Sequence, residues 1–156
     1  MVARIALILI LTARTAMTPY AEYDFLACYS WGLLPNVVWA EARGEPYEGK
    51  VAVAEVVLER IRDQRWGNDV ASVVLQPWQF SCFNQQDPNA ALRPRPSDKK
   101  GYAVFKECCR AAADAVNGST LTGRANHYVN LKVARPVWYD PEKVTAVIGA
   151  HTFLRL

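Results

Sequence analysis

Residues 39–49 read Trp39-Ala40-Glu41-Ala42-Arg43-Gly44-Glu45-Pro46-Tyr47-Glu48-Gly49, a stretch that ends one helix and begins the next. Before it, Leu34, Val37, Val38 and Ala42 recur at the spacing of one helix face, which predicts a helix from Leu33 to Arg43. Gly44 and Pro46 stop it, since glycine suits the left-handed turn after a helix and proline cannot continue one. Proline is tolerated in a first turn, where its missing N–H would have had no partner, so Pro46 opens a second helix. Val51, Ala54, Val57, Leu58 and Ile61 mark that helix's buried face, Glu48 stands near its start, and Gly67-Asn68 closes it. Two carboxylates therefore meet opposite ends of helix dipoles. Glu41, in the last turn of the first helix beside Trp39, Ala40 and Ala42, is expected to have a raised pKa suited to a general acid. Glu45 faces the unsatisfied N–H groups of the second helix and is expected to stay ionised and structural. Such a split lets neighbouring carboxylates hold an acid role and a charged role at neutral pH. On these residues alone, helix-end carboxylates paired with Arg43 and Lys50 are the more ordinary reading of both.

Working outward, Val70 to Leu75 is a short apolar segment ending before Pro77, and Trp78 to Phe83 is aromatic and irregular. Asp87 to Lys100 carries Pro88, Pro94 and Pro96 among charges and reads as a long surface loop. A third helix is predicted over Tyr102–Val116, with Val104, Phe105, Cys108, Ala112 and Ala115 on one face and Asn117-Gly118 as its stop. After Gly123 the pattern turns to strands and turns. His127 to Asn130 alternates, Val137-Trp138-Tyr139 is aromatic, Asp140-Pro141 makes a turn, and His151 to Leu156 closes the chain as a strand. Helices first and a small sheet last define an α+β class, mainly helical, with the antiparallel sheet near the C-terminus.

A chain of 156 residues is one domain's worth, and 51% hydrophobic with 21% charged residues is ordinary for a globular fold. The net charge of +3 is mild and its basic residues are scattered, which gives no footprint for nucleic acid. Residues 1–20 differ from the rest: Arg4, an apolar run from Ile5 to Leu11, then small residues up to Thr18-Pro19. The run is shorter than the roughly 20 residues that span a bilayer, but it suits the apolar region of an export signal. Arg14 sits at the third position before a cut after Ala16, so an uncleaved anchor with weak membrane association, or a plain N-terminal helix, are the alternatives. Residues 1–20 are thus read as a signal or anchor segment and 21–156 as a single domain, expected to be a monomer. Cys28, Cys82, Cys108 and Cys109 match no zinc spacing. In an exported protein Cys82 would bridge to Cys108 or Cys109; in a reducing compartment four buried thiols are the alternative. His127 and His151 match no metal motif and are read as structural. No metal and no cofactor are implied.

The segment Glu41–Val57, followed by Gln76-Pro77-Trp78-Gln79-Phe80, Asn126-His127-Tyr128-Val129-Asn130, Pro136-Val137-Trp138 and Ile148-Gly149-Ala150-His151-Thr152-Phe153, resembles the SleB-like cell-wall hydrolase family. The blocks fall in the family's order and the resemblance runs from Leu33 to Arg155. It implies a lysozyme-like domain that cuts the MurNAc–GlcNAc β-1,4 bond of peptidoglycan glycan strands. The cut would be made as a lytic transglycosylase leaving a 1,6-anhydro end, or as a muramidase. By the same resemblance Glu41 is the acid/base, and Gln79, Phe80, Tyr128 and Asn130 look like groove residues; Arg43 and Glu45, from their place between the two helices, are read as structural near the site. Trp78 and Trp138 would offer aromatic faces to pyranose rings, although core packing is the ordinary role for Trp138 and Phe153. Among the cysteines, the resemblance favours a Cys82–Cys108 bridge. One position departs: the family usually has Asn where this chain has Glu59, which could pair with Arg60, Arg62 or Lys50 or simply be solvated.

Two rival functions follow from other residues. A Cys/His amidase or peptidase would set Cys82 or Cys28 against His127 or His151, and a non-catalytic wall-binding or virion module would need no Glu41. The leader points to the cell envelope or periplasm, and the compact single-domain length suits the alternative of a phage endolysin or tail-borne enzyme acting on a host wall. The glycosidase reading requires Glu41 to line a groove with Tyr128 and Gln79.

Overall fold

The computed structural model describes residues 19–84 and 94–156, with side chains from Trp31 onward. The expected leader up to residue 18 and most of the proline-rich loop lie outside the described residues. Among those described are four α-helices, which we label α1 (Pro19–Ala42), α2 (Tyr47–Asp63), α3 (Val70–Val74) and α4 (Lys99–Val116), then three strands, β1 (His127–Val129), β2 (Val144–Ile148) and β3 (His151–Leu154). Short 3-10 turns cover Ser81–Phe83 and Pro141–Lys143. No helix among the described residues is long and apolar enough to cross a membrane.

The helix read from Leu33 begins at Pro19 instead, and Pro35 sits in its interior. Pro35 invites a start near Leu33 because proline normally belongs to a first turn. Here its missing N–H removes one rung, to the carbonyl of Trp31, whose residue is exposed where water can replace that bond. Leu34, Val37, Val38 and Ala42 face the core as their spacing requires.

α2 is the central element: every residue from Gly49 to Arg60 is buried. A helix covered on all sides loses its one-faced pattern, and here α1, α3 and α4 pack on part of its surface while the sheet takes the rest. It ends at Gln64, which takes the left-handed conformation (φ 57°) itself, three residues before the predicted Gly67 stop. α4 starts at Lys99 because Asp98 caps it, accepting the Gly101 N–H at 3.0 Å, so the preceding loop is shorter than its composition suggests. Its buried face of Cys108, Ala111, Ala112 and Ala115 is made of small side chains, which let it lie close on α2.

The sheet is antiparallel in the order β1-β3-β2, with Tyr128 opposite Phe153 and Val129 opposite Thr152. β2, not foreseen as a strand, pairs with β3 through a tight turn at Gly149-Ala150. Phe153, fully buried, joins Ala52 and Val56 of α2 in a second small core that fastens the sheet to the central helix. Burying such a side chain is worth about 1.5–3 kcal/mol. The main core lies on α2's other side, between α1, α3 and α4.

The cysteine bridge is overturned. Cys82 and Cys108 are both buried in the main core and no disulfide joins them; the turn carrying Cys82 packs against α1. Cys109 is exposed, so the alternative of four buried thiols fails as well. Burial pushes the Cys108 thiol up to about 12, which keeps it an inert apolar group.

Candidate active site

At the C-terminal end of α1 the chain leaves a groove of about 480 Å³ walled by α2, the segment after α3, β1 and the loop carrying Trp138. Glu41 reaches it from the last turn of α1, half-buried, and the Tyr128 hydroxyl donates to its Oε2 at 3.0 Å. The Tyr128 ring is fixed from behind by His151, edge-on at 5.0 Å, and by Phe153 at 5.9 Å. Burial and then the Glu41 carboxylate hold the Tyr128 phenol well above the usual tyrosine range, so it remains a donor.

Arg60 forms the floor and was not foreseen as a site residue. It is 6% exposed, its Nε–H donates to the Asn126 carbonyl at 2.7 Å, and an Nη1–H donates to Gln79 Oε1 at 3.1 Å. Its guanidinium lies over the rings of Trp66 and Phe80 at 5.2 and 5.3 Å. Burial lowers its pKa while Tyr128 and Glu41 raise it, and a guanidinium stays charged through such shifts. Because arginine has no acceptor, Gln79 must turn its oxygen to Arg60, which leaves its amide N–H groups for the groove. Within the chain's helix 47–63, Arg60 looks like one more cation in Glu59-Arg60-Ile61-Arg62, so only the turn of the helix onto the groove distinguishes it.

Aromatic rings complete the walls. Trp78 is 83% exposed and sits at φ 69°, a conformation that bulky residues seldom adopt and that the surroundings must enforce. Trp138 lines the groove and is not core, whereas Phe153 is wholly core. His127, read as structural, stands in the wall with its ring between Trp66 at 5.5 Å and Trp138 at 5.2 Å. Burial, with Arg60 and Arg65 beside it, lowers its pKa to about 4, so it is neutral at pH 7.

Of the residues expected at the site, Glu41, Trp78, Gln79 and Tyr128 meet in the groove. Phe80 does not: it is 1% exposed and lies in the core beneath Arg60. Asn130 follows β1 and spends its side-chain oxygen on the Lys132 N–H at 3.0 Å, holding the turn there. Glu45 accepts the Ala150 N–H at 2.8 Å and so ties the start of α2 to the β2–β3 turn. Arg43 donates to the Ala40 carbonyl at 2.8 Å and lies over Trp39 at 5.0 Å, closing the end of α1. Cys82 is 3% exposed in the core and does not line the groove with His127, which removes one of the two nucleophiles of the amidase alternative; the other, the Cys28 side chain, lies outside those described.

The chain belongs to the cell wall hydrolase family, whose pattern it matches over residues 44–154. It is 35% identical over 123 residues to the spore cortex-lytic enzyme of Bacillus cereus, covering 79% of this chain and 43% of that enzyme. With the spore cortex-lytic enzyme of Bacillus subtilis it shares 34% over 122 residues, 78% of this chain and 36% of the relative. The chain thus spans roughly two fifths of the length of the curated relatives it matches. Its fold matches the catalytic domain of the Bacillus cereus SleB protein with a TM-score of 0.66 and 32% identity, over 81% of this chain and 89% of that one. The catalytic domain of the germination-specific lytic transglycosylase SleB from Bacillus anthracis matches with a TM-score of 0.65 and 32% identity, over 81% and 93%.

Proposed function

We propose that the protein cleaves peptidoglycan glycan strands at the MurNAc–GlcNAc β-1,4 bond as a lytic transglycosylase, with Glu41 as acid and then base. The observation that carries this is the pairing of Glu41 with the Tyr128 hydroxyl at 3.0 Å inside the groove. Tyr128 orients the carboxyl group by holding one of its oxygens. Glu41 protonates the departing glycosidic oxygen as the C1–O bond breaks; the sugar's own 6-hydroxyl then bonds to C1 and returns its proton to Glu41. Hydrolysis through two carboxyl groups needs a second one flanking the bond. Among the described residues Glu41 is the carboxylate lining the groove, and Glu45 is engaged with Ala150, which favours the transglycosylase outcome over a muramidase. The similar Bacillus anthracis protein is a germination-specific lytic transglycosylase, in agreement with that choice. A glycan-strand substrate places the protein outside the cytoplasm, consistent with residues 1–20 serving as an export segment.

Digestion of purified peptidoglycan by the wild type and by Glu41→Gln, read by mass spectrometry, tests the reading. Expected are products lighter than hydrolytic muropeptides by one water, and none from Glu41→Gln. Reducing-end MurNAc would replace transglycosylation by hydrolysis, free stem peptides would indicate an amidase, and an active Glu41→Gln would sink the assignment.

A further inference from the structure

Asn126 is fully buried, and three bonds fix its amide: Nδ2 donates to Asp63 Oδ2 and to the Leu156 carbonyl, both at 2.8 Å, and Oδ1 accepts the Leu156 N–H at 2.9 Å. Asp63 and the carbonyl can only accept, so the amide cannot be turned over. The same Oδ1 lies 2.9 Å from His127 Nδ1, which must therefore carry the hydrogen. In a neutral ring Nε2 is then a bare lone pair. No described residue supplies it with a hydrogen bond, while the ring is clamped between Trp66 and Trp138 in the groove wall. Across the groove the Arg60 guanidinium and the Gln79 amide are fixed as donors, while the Tyr128 hydroxyl spends its hydrogen on Glu41. A sugar hydroxyl both donates and accepts. Glu41 is committed to the bond being cut, the Tyr128 oxygen sits at that same carboxyl group and Ser81 can do either, which leaves His127 Nε2 as the acceptor of the aromatic wall.

We propose that His127 is a substrate-binding residue whose Nε2 accepts a hydrogen bond from a sugar hydroxyl, its tautomer set by Asn126. The contact rests on the glycan-cleaving reading above and adds a residue to it. The chain has two histidines, so imidazole nitrogen NMR resolves the question in the intact protein. In the Glu41→Gln protein, which holds substrate without turning it over, the His127 signals are identified by their loss in His127→Gln. Expected are a protonated Nδ1 and bare Nε2 in the free protein, and an Nε2 resonance that moves upfield on titration with a GlcNAc-MurNAc tetrasaccharide as the tryptophan indole signals move. A protonated Nε2 in the free protein, or an unmoved Nε2 while the indoles shift, overturns the proposal and leaves the glycan reading intact. No groove signal moving at all also counts against it, and the reading itself falls with it if the wild-type digest is inert too.

Kinetics on soluble glycan strands give a second arm. His127→Asn keeps a donor near the Nδ1 position and offers no acceptor at Nε2, so KM is expected to rise about 10-fold at unchanged kcat. His127→Gln can place its amide oxygen near Nε2 and is expected to stay within about 3-fold of the wild type. Equal KM values for wild type and His127→Asn would overturn the proposal.

Discussion

At the scale of single residues, the site is built from groups whose hydrogen-bonding roles are fixed by their partners. Tyr128 is held as a donor by burial and by its carboxylate partner, with its ring packed on His151 and Phe153. Tyr128→Phe keeps that packing and removes only the O–H, so kcat is expected to fall about 10- to 100-fold with a melting temperature close to the wild type. Unchanged kcat on soluble glycan would release Tyr128 from the mechanism. Glu41, Gln79, Trp78 and Tyr128 were legible because they stand in blocks that resemble a known family. Arg60 was not, and His127, although inside the Asn126–Asn130 block, was read as structural. Their immediate neighbours read as a charged helix end and a strand, and what makes them groove residues is the packing of α2 against β1, a long-range fact that local pattern does not carry. Phe80 shows the opposite failure: an aromatic within a site-like block faces inward because the turn after it sends Cys82 into the core as well.

Among elements, the junction between α2 and the β2–β3 turn was half legible. Glu45 was expected to be structural at a helix start, but its partner, the Ala150 amide, is 105 residues away. β2 itself was missed because Val147 points outward at 69% exposed, which blurs the alternation that would reveal a one-sided strand. The close approach depends on Gly149, at φ +59°, where an added Cβ would fall 2.1 Å from Glu45 Oε2. Gly149→Ala is thus expected to lower stability by more than about 1 kcal/mol, through the left-handed backbone and the lost anchor together. Glu45→Ala should lower the melting temperature in the same direction while retaining measurable cleavage. Abolished cleavage at an unchanged melting temperature would instead put Glu45 in the chemistry.

For the whole molecule, the order of helices and closing sheet was readable from periodicity, but the ionic seam that fastens the C-terminal strand to α2 was not. Glu59, 1% exposed, receives Arg155 at 2.6 Å with Arg62 and Arg124 at 3.1 Å, and Asp63 holds Arg155 at 3.0 Å. Of the partners weighed from sequence, Arg62 is right; Arg60 and Lys50 turn to other groups. The arginine side chains are 38–66% exposed and can be rehydrated, so Glu59→Asn, the residue usual in the family, is expected to cost about 2 kcal/mol, below the 3–5 kcal/mol typical of a fully buried pair. A denaturant midpoint equal to the wild type would show the seam to be idle.

Acid separates this seam from the groove. Burial works to raise the Glu59 pKa, yet bonds from Arg155, Arg124 and Arg62 hold it below its ordinary 4.5, so its contribution is present above that value and is lost only as pH falls through the lower folded pKa. His127 runs the other way in charge: its folded pKa of about 4 lies below the ordinary 6.5, so between these values the unfolded chain binds the extra proton and stability falls as pH falls. Discounted for a half-exposed ring, that loss is on the order of 1 kcal/mol. His151, lowered by burial against the opposing charge of Glu45, adds in the same direction. Thermal melts from pH 7.5 to 5 are therefore expected to decline in the wild type and to decline less in His127→Gln, while Glu59→Asn shifts the whole curve down without changing its slope. Parallel curves for wild type and His127→Gln would mean that the ring takes up its proton in the fold as readily as in the unfolded chain.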